Sequence, residues 1–504
     1  MTGQTIGQAM GPLTGQLAGQ MAGQIAGQAP SLWLLLLPHL LLAGGALAVF
    51  TAGAFWRTRP VRTLFVLSAA SALLACGAAL ALPALTGGAI PDASGLSAML
   101  DSGPYARFYL VLLTGLTFTA LLFLANYARQ RGFEEDEPYA LVLLAALGAM
   151  LLAQAVNWVI FFLGLETLSI PLYVIIAARR GDPKSGEAAV KYFVMGAVAS
   201  AVLLFGIALL YAATGTAEIA AGLSQPMSGT GLLGLGFLLA GLGFKLSLVP
   251  FHLWTPDVYE GAPAPVTAFL STASKVGVFA GLLRLAVQGQ GGMWDGLALV
   301  LWVLAAATMA GGNLGALAQG RVKRMLAYSS VAQMGYLLMA LLAVPAAGPG
   351  PIMFYSAVYA LMDLGAFGGL GLLSPREGDL NEFGDFSGLG YARPFTAGIF
   401  AFSILALAGL PPTGGFVGKF LLFAATLRAG YTILAALGVL TAVISMGYYL
   451  RLLAALYMRP AEEASAKGLP TTASGGVALV LVAFLILLLG IVPSPVISAL
   501  AALH

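Results

Sequence analysis

Charge is what this sequence lacks most. Only 9% of its 504 residues are Asp, Glu, Lys or Arg, against about 25% in soluble globular chains. That shortage excludes the string of soluble domains that the length alone would suggest. Cysteine occurs once, at Cys76, which excludes an internal disulfide and a cysteine-held iron–sulfur cluster within the chain. Histidine occurs three times, at His39, His252 and His504. Residues so few and so far apart make a poor metal site and offer no obvious pair of haem ligands. No segment reads as a strand, so no glycine-rich turn follows one to cradle a nucleotide. The chain alone shows no redox or ATP chemistry, and no nucleic-acid partner is expected.

What the sequence has instead is hydrocarbon, with 60% of its residues hydrophobic. Apolar runs of roughly 20 residues recur from Leu32 onward, each long enough to cross a bilayer as a helix. The pattern predicts an all-α polytopic membrane protein with about 14 transmembrane helices, at residues 32–56, 61–83, 105–127, 138–154, 156–178, 187–212, 231–253, 264–287, 295–317, 323–344, 350–373, 393–426, 430–456 and 475–499. The twelfth carries "GLPPTGG" and reads as one broken helix. Spans 4–8 and 9–13 form two blocks of five. An odd number of spans per block forces opposite orientations, so the blocks would be inverted repeats, each with one interrupted helix (spans 7 and 12). The expected organisation is therefore a tail at 1–31, spans 1–3 at 32–137, a first repeat at 138–290, a second at 291–457 and a final span at 458–504.

Basic residues support this count. Under the 14-span reading, 16 of the 23 Lys and Arg residues fall in connections, or near the span ends beside them, on one side and three (Arg107, Arg284, Arg428) on the other. The remaining four, Lys191, Lys245, Lys275 and Lys419, lie inside spans. The positive-inside rule then places both termini on the non-cytoplasmic side. Residues 1–28 repeat Gly-Gln every four positions, broken once at Gly11-Pro12. The segment is uncharged and lacks the basic start of a secretory signal. It reads as a mobile low-complexity tail with no assigned role.

An ionised side chain at the bilayer centre costs about 2.5–3.5 kcal/mol on insertion scales, so each such residue calls for a reason. Lys245 precedes Pro250, whose missing N–H predicts a break and a hydrated polar site. Glu166 lies in "LETLSIP" and is the natural partner of Lys245 if spans 5 and 7 touch. Lys275 is flanked by Ser271, Thr272 and Ser274, small hydroxyl residues that can line a polar path or join helices. Lys419 follows the second break, in "GLPPTGGFVGK". For all four, a purely structural ion pair or polar contact is the rival reading. Lys191 sits near its span's start, where it can snorkel. Asp363 either pairs with Lys419 or caps a polar patch. His252, just past the first break, either passes protons or bonds the local backbone. Asp257 and Glu260 are expected in a surface loop.

These residues resemble the antiporter-like membrane subunits of respiratory complex I. The resemblance is carried by "LETLSIPLYV" at 165–174, "VKYFVMGAVAS" at 190–200, "FKLSLVPFHLWTPDVYEGAPAPVTAFLSTASKVGVFA" at 244–280, "VKRMLAYSSVAQMGY" at 322–336 and "GLPPTGGFVGKF" at 409–420. It covers nearly the whole chain from about residue 32, and "FHLWTPDVYEGAP" favours the N-type subunit of bacterial NADH-quinone oxidoreductase over L-type, M-type and Mrp-type antiporter subunits. The resemblance implies 14 helices with helices 7 and 12 broken, and proton translocation driven by NADH oxidation elsewhere in the complex. NADH, FMN, iron–sulfur clusters and quinone are then expected in partner subunits, with no cofactor in this chain. Expected partners are neighbouring antiporter-like and small membrane subunits, and lipid, in a bacterial inner membrane. It places the family's glutamate at Glu166 and its lysines at Lys245, Lys275 and Lys419, with a further lysine at Lys191. Asp363 stands where an uncharged amide is expected. The implied mechanism is a proton relay loading at Lys245 and passing through Lys275 to Lys419. A cation/proton antiporter of the Mrp type is the alternative.

Overall fold

The computed structural model describes residues 33–55, 61–85, 99–131, 137–179, 181–224, 227–289, 292–460 and 471–501. The expected Gly-Gln tail lies outside them. Nine helices run from the start to the middle of the chain: α1 (Trp33–Phe55), α2 (Val61–Leu85), α3 (Pro104–Arg131), α4 (Glu137–Gln154), α5 (Trp158–Ile176), α6 (Pro183–Thr214), α7 (Gly229–Leu246), α8 (Ala264–Gln288) and α9 (Gly292–Leu317). They are followed by α10 (Val322–Leu341), α11 (Gly350–Leu373), the two halves of α12 (Pro394–Ala408 and Gly414–Arg428), α13 (Thr432–Met458) and α14 (Ala473–Ile491). No β-strand forms among the described residues, where isolated bridges are the only β pairing.

Twelve of these helices are long and apolar enough to cross a membrane, two short of the expected 14. The tenth expected span is present as α10, but Lys323, Arg324, Ser329, Ser330 and Gln333 make it too polar to count among the twelve. The twelfth is two 15-residue helices, each shorter than a bilayer crossing. Its first half is also bent by 119° from the segment Gly384–Ala392.

Local chemistry sets the helix ends. Asn157 caps α5 by accepting from the Val159 amide at 2.8 Å, and Asp182 caps α6 by accepting from Lys184 N at 3.0 Å, with Pro183 opening the helix. The break in the seventh span differs from expectation. Helix α7 ends at Leu246, four residues before Pro250, because Ser247 adopts φ 60°. The Ser247 and Leu248 amides then turn back to the carbonyls of Phe244 (3.0 Å) and Gly243 (2.8 Å). The segment expected as a loop forms the short helix Trp254–Gly261, which leads into α8. Both interruptions contain a cis proline, at Val249–Pro250 and Pro411–Pro412.

The arrangement is concentric. Every residue in the most apolar stretch of α8 and 94% of that in α11 are buried, against 28% in α14. Outer helices are apolar all round because lipid and protein both accept hydrocarbon. Polar residues collect on α8, α10 and α11, where protein supplies their partners. Close glycine packing brings α7 against α6: a Cβ at Gly206 would fall 2.6 Å from Leu238 N. Two bridges mark matching places along the chain. Asn157, just before α5, pairs with Glu218, and Arg321, just before α10, pairs with Glu382. Each pair spans 61 residues, and the second follows the first by 164.

Candidate functional site

Three of the four lysines expected inside spans are buried: Lys245 (5% exposed), Lys275 (1%) and Lys419 (4%). Each must find neutral acceptors or a counter-charge to remain there. Lys245, in the last turn of α7, donates from Nζ to Ser169 Oγ at 2.7 Å and Tyr173 Oη at 2.9 Å. Both acceptors lie on α5, one and two turns beyond Glu166. Glu166 does not bond Lys245 directly. Its Oε1 accepts from Ser200 Oγ of α6 at 2.5 Å, so Lys245 is held by α5 hydroxyls and Glu166 by an α6 hydroxyl rather than by a direct ion pair. Glu166 is only half-buried. The Trp254 indole closes the cluster from the short helix by donating to the Phe244 carbonyl at 2.9 Å.

Aromatic rings link Lys245 to Lys275. Lys245 Nζ lies 6.0 Å from the Tyr192 ring, which stacks on Trp254 at 4.5 Å. Trp254 meets Tyr259 edge-on at 6.2 Å, and Lys275 Nζ sits 5.3 Å from the Tyr259 ring. Lys275 directly follows a π-helical turn, Leu270–Ser274, a feature common at functional positions within helices. Its Nζ donates to Ser330 Oγ at 2.8 Å. Ser271 and Thr272, expected to line a polar path or join helices, donate to the Ala268 carbonyl of their own helix, at 3.3 and 2.6 Å.

Beyond Lys275 the polar groups continue along α10. Ser330 Oγ and Tyr359 Oη are 2.7 Å apart, and the Tyr359 hydroxyl faces Asp363 Oδ2 at 3.3 Å. Asp363 therefore belongs to the Lys275 cluster, and not to Lys419 as one expectation had it. One position before Ser330, Ser329 bonds Tyr449. Gln333 donates to Tyr449 Oη at 3.3 Å and accepts from Tyr355. Tyr336, three residues on and on the same face of α10, accepts from Asn313 Nδ2 at 3.0 Å. Asn313 Oδ1 in turn accepts from Tyr448 at 3.0 Å. Lys419 Nζ lies 5.5 Å from the Tyr336 ring. It donates to the carbonyls of Leu407 (2.7 Å) and Ala408 (3.3 Å), at the end of the first half of α12. Terminal helix carbonyls lack intrahelical partners and carry the negative end of the helix dipole, so a cation there is favoured.

The remaining expected residues lie elsewhere. Lys191 is partly exposed and paired with Glu187 (2.7 Å) and Asp257 (2.9 Å). Asp257 and Glu260 are not free loop charges: Arg324 binds both, at 2.6 and 3.2 Å, and Arg321 binds Glu260 at 2.7 Å. Burial disfavours ionisation of Asp257, but hydrogen bonds from Arg324 and Lys191 outweigh it and hold the carboxyl below its ordinary value. Glu260 is likewise lowered, with burial opposed by Asn381, Arg324 and Arg321. His252 is half-buried and meets Tyr328 edge-on at 6.0 Å.

Sequence reasoning missed a second set of buried charges. Lys323, counted as a connection residue, is buried. It donates to the Ala262 carbonyl at 2.6 Å and pairs with Asp379 at 3.1 Å. Asp379 also accepts from Ala264 N at 3.0 Å and from Tyr127 at 3.1 Å. Arg284, assigned to the opposite surface, is buried against Asp101 and donates to the Ala153 carbonyl at 3.2 Å. No group of three or more His, Cys, Asp or Glu side chains among the described residues is placed to hold a metal.

Comparison with known proteins places this geometry in a family. Residues 155–445 match the family described as NADH:quinone oxidoreductase/Mrp antiporter, TM. NADH-quinone oxidoreductase subunit N 1 of Solidesulfovibrio magneticus is 48% identical over 92% of this chain and 97% of its own length. Subunit N of Geotalea uraniireducens is 41% identical over the same shares. A chain of respiratory complex I from Thermus thermophilus with bound aureothin superposes with a TM-score of 0.77 at 35% identity, over 92% of this chain and 99% of its own. The Mrp complex of Dietzia shares the fold (TM-score 0.78, covering 92% and 97%), at 22% identity. The chain is a multi-pass membrane protein and belongs to the NADH-quinone oxidoreductase subunit N family.

Proposed function

We propose that this chain translocates protons as a membrane subunit of NADH-quinone oxidoreductase, driven by electron transfer from NADH to quinone in partner subunits. It does so within a bacterial inner membrane, with both termini on the non-cytoplasmic side. The observation that carries the reading is the line of buried polar groups from Lys245 through Lys275 to Lys419. Such a line is expensive in a membrane protein and is expected where protons or ions move. Protons enter through the interruption after α7, near His252, load Lys245, and pass by way of Lys275 and the α10 hydroxyls to Lys419. A buried lysine's proton affinity depends on the charge beside it. A partner-driven displacement of Glu166 from Ser200 would therefore change how Lys245 holds its proton. The matched bridges at Asn157–Glu218 and Arg321–Glu382 support two related units, at 138–290 and 291–457. Affinity purification from membranes should bring NADH dehydrogenase subunits with the chain. In that complex Lys245→Met should lose proton pumping. Wild-type pumping by the variant would contradict the proposal.

A further inference from the structure

The matched bridges set a register between the two units. Asn157 immediately precedes α5 and Arg321 immediately precedes α10. Glu166 lies nine residues after the first and Ser330 nine after the second. Ser330 of α10 therefore stands where α5 carries its glutamate. The second members of the bridges relate α6 to α11 in the same way, since Glu218 follows α6 and Glu382 follows α11. By that register Ser200, the hydroxyl that holds Glu166, maps to position 364, one residue from Asp363. The first unit has its acid on α5 and its hydroxyl on α6. The second has its hydroxyl on α10 and its acid on α11. The pair is kept and its members have changed helices.

The contacts fit that exchange. Glu166 and Ser200 touch at 2.5 Å. Ser330 reaches Asp363 through one intervening group, Tyr359, at 2.7 and 3.3 Å. Ser330 is also the acceptor of Lys275 Nζ at 2.8 Å. Asp363 is fully buried, and its Oδ1 has no close hydrogen bond among the described residues, with the Ser271 hydroxyl as a polar neighbour of the carboxylate. A buried carboxylate with one unsatisfied oxygen is costly, and a purely structural anion would be expected to have both oxygens bonded. Tyr359 has an alternative acceptor, the Ser271 carbonyl at 2.8 Å in the π-turn before Lys275. Its hydroxyl thus stands between the carboxylate and the backbone of the lysine's own helix.

Resting on the relay reading above, we infer that Asp363 is the second acid of this chain: the carboxylate that takes up, through Ser330 and Tyr359, the proton that Lys275 gives. The proton path balances without another reactant. The Lys275 ammonium gives a proton to Ser330 Oγ, Ser330 gives its own to Tyr359 Oη, and Tyr359 gives its own to Asp363 Oδ2. One N–H bond is lost, one O–H bond forms on the carboxyl, and both hydroxyls end with a single proton. A charged pair becomes a neutral pair with no net charge moved into the bundle. Release of the proton toward the α10 groups and Lys419 then restores the carboxylate.

The test uses the assembled complex in proteoliposomes, with Glu166→Gln and Lys245→Met as controls. Asp363→Asn should slow NADH-driven pumping at least about tenfold, because the amide cannot take up the proton that Lys275 gives. Relocating the acid to its first-unit position, with Ser330→Asp and Asp363→Ser together, should recover pumping that Asp363→Ser alone loses. A merely structural aspartate would not be rescued from the other helix. Wild-type pumping by Asp363→Asn, alongside losses in both controls, overturns the inference and leaves the relay reading standing. Wild-type pumping in all three overturns both. If Asp363→Asn does not assemble, infrared difference spectra decide. A protonated carboxyl band that shifts in Asp363→Glu is expected, and its absence overturns the inference.

Discussion

Removing Asp379 should loosen the junction where the short helix Trp254–Gly261 enters α8. Its carboxylate receives Lys323 at 3.1 Å, the Ala264 amide at 3.0 Å and Tyr127 at 3.1 Å. Lys323 and Asp379 have side chains only 3% and 7% exposed, so water cannot replace the lost partner. Breaking a buried ion pair from one side costs about 3–5 kcal/mol, because the other charge is left behind. Asp379→Leu and Lys323→Met should each destabilise by about that amount. Replacing both charges removes the stranded ion, leaving mainly the Ala264 amide and the Tyr127 hydroxyl short of an acceptor, at about 1–3 kcal/mol each. The double variant should therefore be less damaged than the sum of the singles by several kcal/mol. Reversible unfolding of the purified subunit in mixed detergent micelles, followed by tryptophan fluorescence, measures all three. Additivity within about 0.5 kcal/mol, as found for independent sites, would refute the coupling.

Two further outcomes follow from other contacts. Asp257 and Glu260 have folded values below their ordinary 3.8 and 4.5. An acid whose folded value is lowered stabilises fully above its unfolded value and loses that contribution as pH falls through the folded one. Hydrogen exchange across residues 254–261 should thus stay slow from pH 7 to 5 and quicken only below about pH 4; quickening near pH 6 would contradict the ion-pair account. Lys245 Nζ donates to Ser169 and Tyr173, and a hydrogen bond to a charged group contributes about 1.5–3 kcal/mol. Ser169→Ala or Tyr173→Phe should each slow pumping at least about tenfold, and wild-type pumping by the double variant would show that these hydroxyls do not serve the lysine.

Much of the fold was legible because apolar runs of bilayer length admit few alternatives. Lys245 and Lys419 stood out because a charge beside proline or glycine in such a run contradicts its surroundings. What stayed hidden depends on partners distant in sequence. Lys323 looks like an ordinary basic connection residue until Asp379, 56 residues later, folds against it. The tyrosines and serines of α10 and α11 carry no charge to mark them in the sequence, and the buried position of those helices is what brings their hydroxyls together. The end of α7 was misplaced for a local reason. Proline is the breaker that the sequence suggests, whereas Ser247 ends the helix by adopting a left-handed conformation that serine seldom enters. The link from Glu166 to Ser200 rather than to Lys245 arises because α6 packs against both α5 and α7.

The central claim is that Lys245, Lys275 and Lys419 act in series along one route. Its most direct measurement is the number of protons moved per NADH oxidised in proteoliposomes, for each lysine changed to methionine singly and in pairs. A series relay predicts that every single variant loses the same share of the protons and that the pairs lose no more. Losses that differ between the lysines and add in the pairs would contradict it.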